Sequence, residues 1–213
     1  MKVNADFSKR AVVRFDENTW VASPMPGVDR KMLDRIGAEV ARATTIVRYA
    51  PGSAFSAHTH DGGEEYLVLE GTFCDEHGAF PTGSYVRNPP TTSHMPSAPD
   101  GATILVKLHQ FDPADRTQIC VAISDTEVTQ PLHRDAFEDV RIENWAPGSS
   151  QVLDTTGGME VFVVKGGFEE GSDHLSTWDW LRLPIGQSTT AIAGKDGAQV
   201  WIKSGHLGQA PTG

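Results

Sequence analysis

Cysteine is scarce in this chain: two in 213 residues, Cys74 and Cys120, too few for a disulfide framework. Neither belongs to a CxxC pair, which excludes a cysteine-rich zinc site and leaves two reduced, buried thiols as the expectation. Long apolar runs are missing too. No stretch approaches the roughly 18 residues that a membrane-spanning helix needs. The opening MKVNADFSKR has no hydrophobic segment behind its lysine, so no secretory signal is expected and a cytoplasmic location is the default. Positive charge is in deficit. Lys and Arg number 18 against 28 Asp and Glu, a formal net charge of −10, which argues against nucleic acid or an anionic membrane as partner. The acidic excess reads as a solvated surface.

Turn formers and β-branched residues are plentiful. The 21 glycines and 13 prolines punctuate the sequence, and between them ATTIVRYA (43–50), EEYLVLE (64–70), GSYVRN (83–88) and ATILVKLHQF (102–111) read as strands. A single helix is predicted, VDRKMLDRIGAEV (28–40), where Val28, Met32, Leu33, Ile36 and Val40 fall at helical spacing against the objection of Gly37. Short strands divided by regular turn signals predict an all-β sandwich or barrel.

The chain also repeats itself. Tyr49-Ala-Pro-Gly-Ser53 returns as Trp145-Ala-Pro-Gly-Ser149, and after a one-residue deletion GGEEYLVLEGTF (62–73) matches GGMEVFVVKGGF (157–168). Arg87 and Pro89 correspond to Arg182 and Pro184, and DGATILVK (100–107) to DGAQVWIK (196–203). The colinear match predicts two copies of one β-domain, over 1–112 and 113–213, joined near Phe111–Arg116. A chain of this length suffices for two domains of about 100 residues, each with its own core.

The chemistry concentrates in PGSAFSAHTHDGGEEYLVLEG (51–71). On a strand, residues i and i+2 share a side, so His58 and His60 can approach one ion together. Asp61-Gly62-Gly63 reads as a tight turn that returns the chain as a strand beginning at Glu64 or Glu65. Either carboxylate can then join the histidines, and His94 supplies a third imidazole. Three imidazoles and a carboxylate suit Fe(II), Mn, Ni or Zn, not Ca or Mg.

Gly52, five residues, His58-x-His60, three residues, Glu64, six residues and Gly71 resemble the first motif of the cupin superfamily. The second motif is matched in part by Gly83, Pro89 and His94, with Thr91 where that family usually has glycine and Ala98 where it often has asparagine. RYAPGS, HTHDGGEEYLVLEG, the DEHG turn and YVRNPPTTSH resemble the cupin-like domain of ChrR-type anti-sigma factors, well over residues 15–110 and more loosely in the second copy. The resemblance implies two tandem jelly-roll (double-stranded β-helix) barrels, a bicupin, with His58, His60, Glu64 and His94 as ligands of one divalent transition metal.

In the second copy His58 falls at Leu153 or Asp154, His60 at Thr155 or Thr156, Glu64 at Met159 and His94 at Thr189. The second domain is therefore expected to be structural, or to bind something without metal. Met159 also separates the two glutamates: the position of Glu64 loses its carboxylate along with the histidines, while that of Glu65 keeps one, as Glu160. Glu64 is the expected ligand and Glu65 a structural residue. His77 is expected in an exposed turn, His109 as a satisfied strand histidine, and His133, His174 and His206 on the surface; Tyr66 and Tyr85 either line the pocket or fill the core.

Two functions follow from the resemblance, and the metal decides between them. Six-coordinate Fe(II) with four protein ligands keeps two positions open, as in cupin dioxygenases that cleave diketone-like compounds. Four-coordinate zinc with the same ligands is closed, which implies a regulatory or sensor module whose partner is a sigma factor. The roughly fifty residues before the first motif hold no cysteine or histidine, so the helical zinc-binding half of ChrR-type proteins is not expected here. A small-molecule ligand is the expected partner under the first reading, with a homodimer compatible with either.

Overall fold

The computed structural model describes residues 1–38, 40–186 and 188–209. Apart from a 3-10 turn at His206–Gln209, its regular elements are all strands, so the described residues are all-β. Among them no helix is long and apolar enough to cross a membrane. The chain divides into two compact units, Met1–Ala5 with Thr19–Ile123, and Asp6–Asn18 with the chain from Ser124 onward.

In unit 1 the strands are β1 (Lys2–Val3), β3 (Val21–Ala22), β4 (Val28–Gly37), β5 (Ala41–Tyr49), β6 (Ser53–Ala54), β7 (His58–Thr59) and β8 (Glu64–Asp75). They continue with β9 (Gly78–Pro81), β10 (Ser84–Asn88), β11 (Ser93–His94), β12 (Ser97–Ala98), β13 (Ala102–Leu108) and β14 (Ile119–Ala122). Unit 2 holds β2 (Ala11–Val13), β15 (Thr129–Arg134), β16 (Asp139–Trp145) and β17 (Ser150–Leu153). It is completed by β18 (Met159–Glu170), β19 (Asp173–Ser176), β20 (Trp180–Leu183) and β21 (Thr189–Ser204).

The helix expected over 28–40 is strand β4, with residue 39 outside the described residues. Its pairing with β5 shifts register between Met32 and Asp34. A bulge of this kind adds one residue and reverses the in–out alternation beyond it, so a strand can imitate a helical spacing of apolar residues.

The repeat is visible in the topology. Unit 1 runs β4-β5-β13-β8-β10-β14 and unit 2 runs β15-β16-β21-β18-β20-β2. In each, the last strand comes from the segment that precedes that unit's counterpart. Residues 113–123, expected at the head of the second domain, supply β14 to unit 1, and residues 6–18, expected in the first, supply β2 to unit 2. Registers coincide as well. Glu64 lies opposite Leu108 and Glu65 opposite Lys107, as Met159 lies opposite Ser204 and Glu160 opposite Lys203. Gly71 and Gly166, at equivalent places within β8 and β18, both have positive φ, and a Cβ on either would lie 2.2 Å from a carbonyl oxygen, of Gly101 and Gly197 respectively. Only glycine fits so close a backbone approach.

Each unit has its own apolar core. That of unit 1 gathers Val28, Val47, Tyr66, Phe73, Val86 and Ile104, and that of unit 2 Leu153, Met159, Val161, Phe168, Leu181 and Val200. Each such side chain contributes about 1.5–3 kcal/mol when fully buried. Both cysteines are free, but the expectation of buried thiols fails. Cys74 is half-buried, and Cys120 is exposed on β14, which ends its sheet.

Candidate metal centre

Three elements deliver the predicted ligands. β7 and β11 form a separate two-stranded ladder in which His58 and His94 are directly opposed. The turn after β7 carries His60 and closes with Gly63 at positive φ, where a Cβ would strike the Phe111 ring. β8 then begins at Glu64, which is buried with His60 and His94 while His58 is exposed. The four residues come together, with one ligand atom of each within 4.8 Å of the others. Ring centroids are 5.2 Å apart for His58 and His60, 4.8 Å for His58 and His94, and 4.6 Å for His60 and His94. Glu64 Oε1 lies 3.5 Å from His60 Nε2 and 3.6 Å from His94 Nε2.

The hydrogen bonds behind the rings define the tautomers. Thr92 Oγ1 donates its proton to the Pro89 carbonyl at 2.7 Å, so at 2.9 Å it accepts from His60 Nδ1–H. His94 Nδ1 lies 3.2 Å from Asp75 Oδ2, a carboxylate that can only accept. His58 Nδ1 faces the Ser56 carbonyl at 3.4 Å. With Nδ1 protonated, His60 and His94 each direct an Nε2 lone pair toward Glu64 Oε1. Buried acceptors facing one another need a cation or a proton between them.

The electrostatics agree. Burial, then the neighbouring His94 and His58, lower His60 to about 3. Burial lowers His94 against the hydrogen bond to Asp75. Burial raises the Glu64 carboxyl to about 7, opposed by a hydrogen bond from Asn88. His60 Nε2 and Glu64 Oε1 have no hydrogen-bond partner. Neutral imidazoles and a carboxylate with unpartnered, converging acceptors fit a divalent transition metal.

The supporting residues Asp75, Thr92 and Asn88 were not singled out from the sequence. Asp75 belongs to the DEHG turn noted there, and its other oxygen accepts from the backbone N–H groups of His77 and Gly78. Glu76 of the same turn accepts from Met95 N at 2.7 Å. The turn thus holds both His94 and the residue after it.

Glu65 turns away from the histidines. Its carboxylate accepts from the Tyr85 hydroxyl at 2.7 Å, with Arg87 and Lys107 as cross-strand neighbours, all four residues being buried. Unit 2 repeats the arrangement with Glu160, which accepts from Trp180 Nε1 at 3.1 Å and has Arg182 and Lys203 as neighbours. Tyr66 packs in the core against Phe73 and Phe80. His77 is exposed as expected. His109 is half-buried just beyond β13, with positive φ. His174 is exposed, whereas His133 and His206, expected on the surface, are buried; His206 Nε2 lies 2.8 Å from Glu160 and His133 Nε2 3.2 Å from Asp135.

In unit 2, Leu153 opposes Thr189 where His58 opposes His94 in unit 1. Leu153 and Met159 lie in the apolar core, and Thr189 donates to Glu170 at 2.9 Å. Among the described residues of unit 2, no equivalent of the four-residue cluster is found.

Residues 8–112 match the family model described as the ChrR Cupin-like domain. No curated protein matches the sequence. Solved structures match over nearly the whole chain. A candidate dioxygenase from Nostoc punctiforme is 13% identical with a TM-score of 0.74, over 96% of this chain and 86% of that one. Ylba from Escherichia coli is 16% identical with a TM-score of 0.71, over 93% and 92%. The bacterial pirin YhhW from Escherichia coli, in complex with nickel(II), is 15% identical with a TM-score of 0.65, over 92% and 99%. At such identities the likeness is one of fold.

Proposed function

We propose, from a chain whose residues 8–112 are a ChrR cupin-like domain, that the protein is an Fe(II)-dependent dioxygenase acting on a small chelating carbonyl compound of the diketone type. The observation that carries this reading is a four-residue cluster in which three members are buried and the fourth is exposed. His60, Glu64 and His94 are buried, and His58 is exposed. A purely structural ion is usually sealed, whereas a centre for chemistry needs access. Iron(II) held by these residues would supply Lewis-acid, templating and redox chemistry toward dioxygen and a chelating substrate.

The protein's own contribution is positioning and exclusion of water. Thr92 and Asp75 orient His60 and His94 from behind, Asn88 holds Glu64, and the apolar Phe73 ring lies 6.3 Å from that of His94. Unit 2 fits the reading as a degenerate cupin barrel that supports the first without chemistry of its own. Iron-loaded protein should consume oxygen in the presence of 2,4-pentanedione, and His94→Ala should abolish it. No turnover across a panel of chelating carbonyl compounds, with iron demonstrably bound, would defeat the proposal.

A second reading follows from the resemblance to ChrR-type anti-sigma factors: a zinc-binding regulatory or sensor module whose partner is a sigma factor. A pull-down that recovers no sigma factor or other regulator would weigh against it.

A further inference from the structure

The four residues of the proposed metal centre are not held alike. Each buried member is fastened: His60 by Thr92, His94 by Asp75 and Glu64 by Asn88. Two of these fasteners are themselves fixed, Thr92 by its bond to the Pro89 carbonyl and Asp75 by the backbone N–H groups of its turn. His58 differs. It is exposed, on the strand that faces His94. Behind its ring lies the carbonyl of Ser56, an exposed neighbour in the same stretch, at 3.4 Å. That distance lies beyond the usual range for an N–H···O bond.

Partners behind a metal-binding histidine fix its orientation and raise its basicity, and losing one typically costs 10–100-fold in affinity. On this ground we infer, on the premise that the cluster binds a metal, that the ligand set has two tiers. His60, Glu64 and His94 hold the metal permanently as a two-histidine, one-carboxylate triad, and His58 is the exchangeable ligand that gives way to an incoming chelator. A triad of that composition is a sufficient holder for a divalent metal while leaving positions open. The ring of His58 is near enough to those of His60 and His94 to close the shell when no chelator is present. Its exposure lets a chelator displace it without disturbing the buried three.

Cobalt(II), whose visible spectrum reports ligand number and type, tests this on the full-length protein. His58→Ala should still bind one cobalt per chain, with affinity reduced by no more than about tenfold, the low end of the cost of a lost orienting partner. His60→Ala and His94→Ala should lose about 100-fold or more, on the same scale. Imidazole added to His58→Ala should restore the wild-type spectrum. Excess 2,4-pentanedione should bring wild type and His58→Ala to the same spectrum, because both complexes then lack the His58 ligand. Cobalt loss in His58→Ala as complete as in His94→Ala, with the circular dichroism of both unchanged, would overturn the inference. So would a pentanedione complex of wild type that keeps a ligand absent from the variant. Wild-type protein that takes up no cobalt would refute the metal reading itself, and this inference with it.

Discussion

Glu64 and Glu65 are adjacent in sequence and face opposite sides of β8, and what each meets there sets its role. Glu64 meets two imidazoles that offer it no proton; Glu65 meets a hydroxyl donor and two cations. Glu64→Gln should therefore remove most of the bound metal and leave the fold intact. Glu65→Gln should leave metal content near one per chain but lower stability by about 1–3 kcal/mol, the cost of weakening the buried hydrogen bonding to its carboxylate. Elemental analysis and thermal unfolding of the two variants check this, and the reverse pattern would mean that Glu65 is the ligand. At this scale three of the four clustered residues were legible in the sequence because local spacing carries them: His58-x-His60 and Glu64 lie on β7, the turn after it and the first residue of β8. Asp75 and Thr92 were not, since their bonds to His94 and His60 span 19 and 32 residues and leave no periodic trace. Ligand spacing was equally silent about His206, whose burial depends on Glu160, 46 residues away.

Among the elements, the turn that leads to His94 carries backbone strain. Thr92 N donates to the Pro89 carbonyl at 3.2 Å around Pro90 and Thr91, and Thr91 has φ +80°. Proline followed by a positive φ is the pattern of a type II turn, which favours glycine at the position Thr91 occupies. A β-branched residue there is costly, and the left-handed conformation alone costs about 1–2 kcal/mol. Thr91→Gly should relieve part of this and raise the melting temperature, net of the glycine's greater unfolded-state freedom. Metal content should not change, because the side chains of Thr92 and His94 keep their places. A lower melting temperature would show that the Thr91 side chain has a compensating contact. The four strands read from β-branched runs all appear, within a few residues, as β5, β8, β10 and β13. β4 was misread because its bulge falsifies the period. The destinations of β2 and β14 were illegible for another reason: β2 pairs with β20, well over a hundred residues away, and short edge strands carry no signal of their partner.

Across the two units the same strand order is used twice, and the four-residue cluster lies in unit 1. The repeat was legible because glycines at close backbone approaches and the buried Glu–Arg–Lys neighbours recur in both copies. The apolar character of the equivalent positions in unit 2 was legible for the same reason, since Leu153 and Met159 stand where His58 and Glu64 would be, and both are part of the core. The account therefore predicts a fixed metal stoichiometry and assigns it to unit 1. Elemental analysis of protein purified without chelators is the most direct measurement. The prediction is one iron per chain, falling to near zero in Glu64→Gln. Two metals per chain, zinc in place of iron, or iron that survives Glu64→Gln would contradict it.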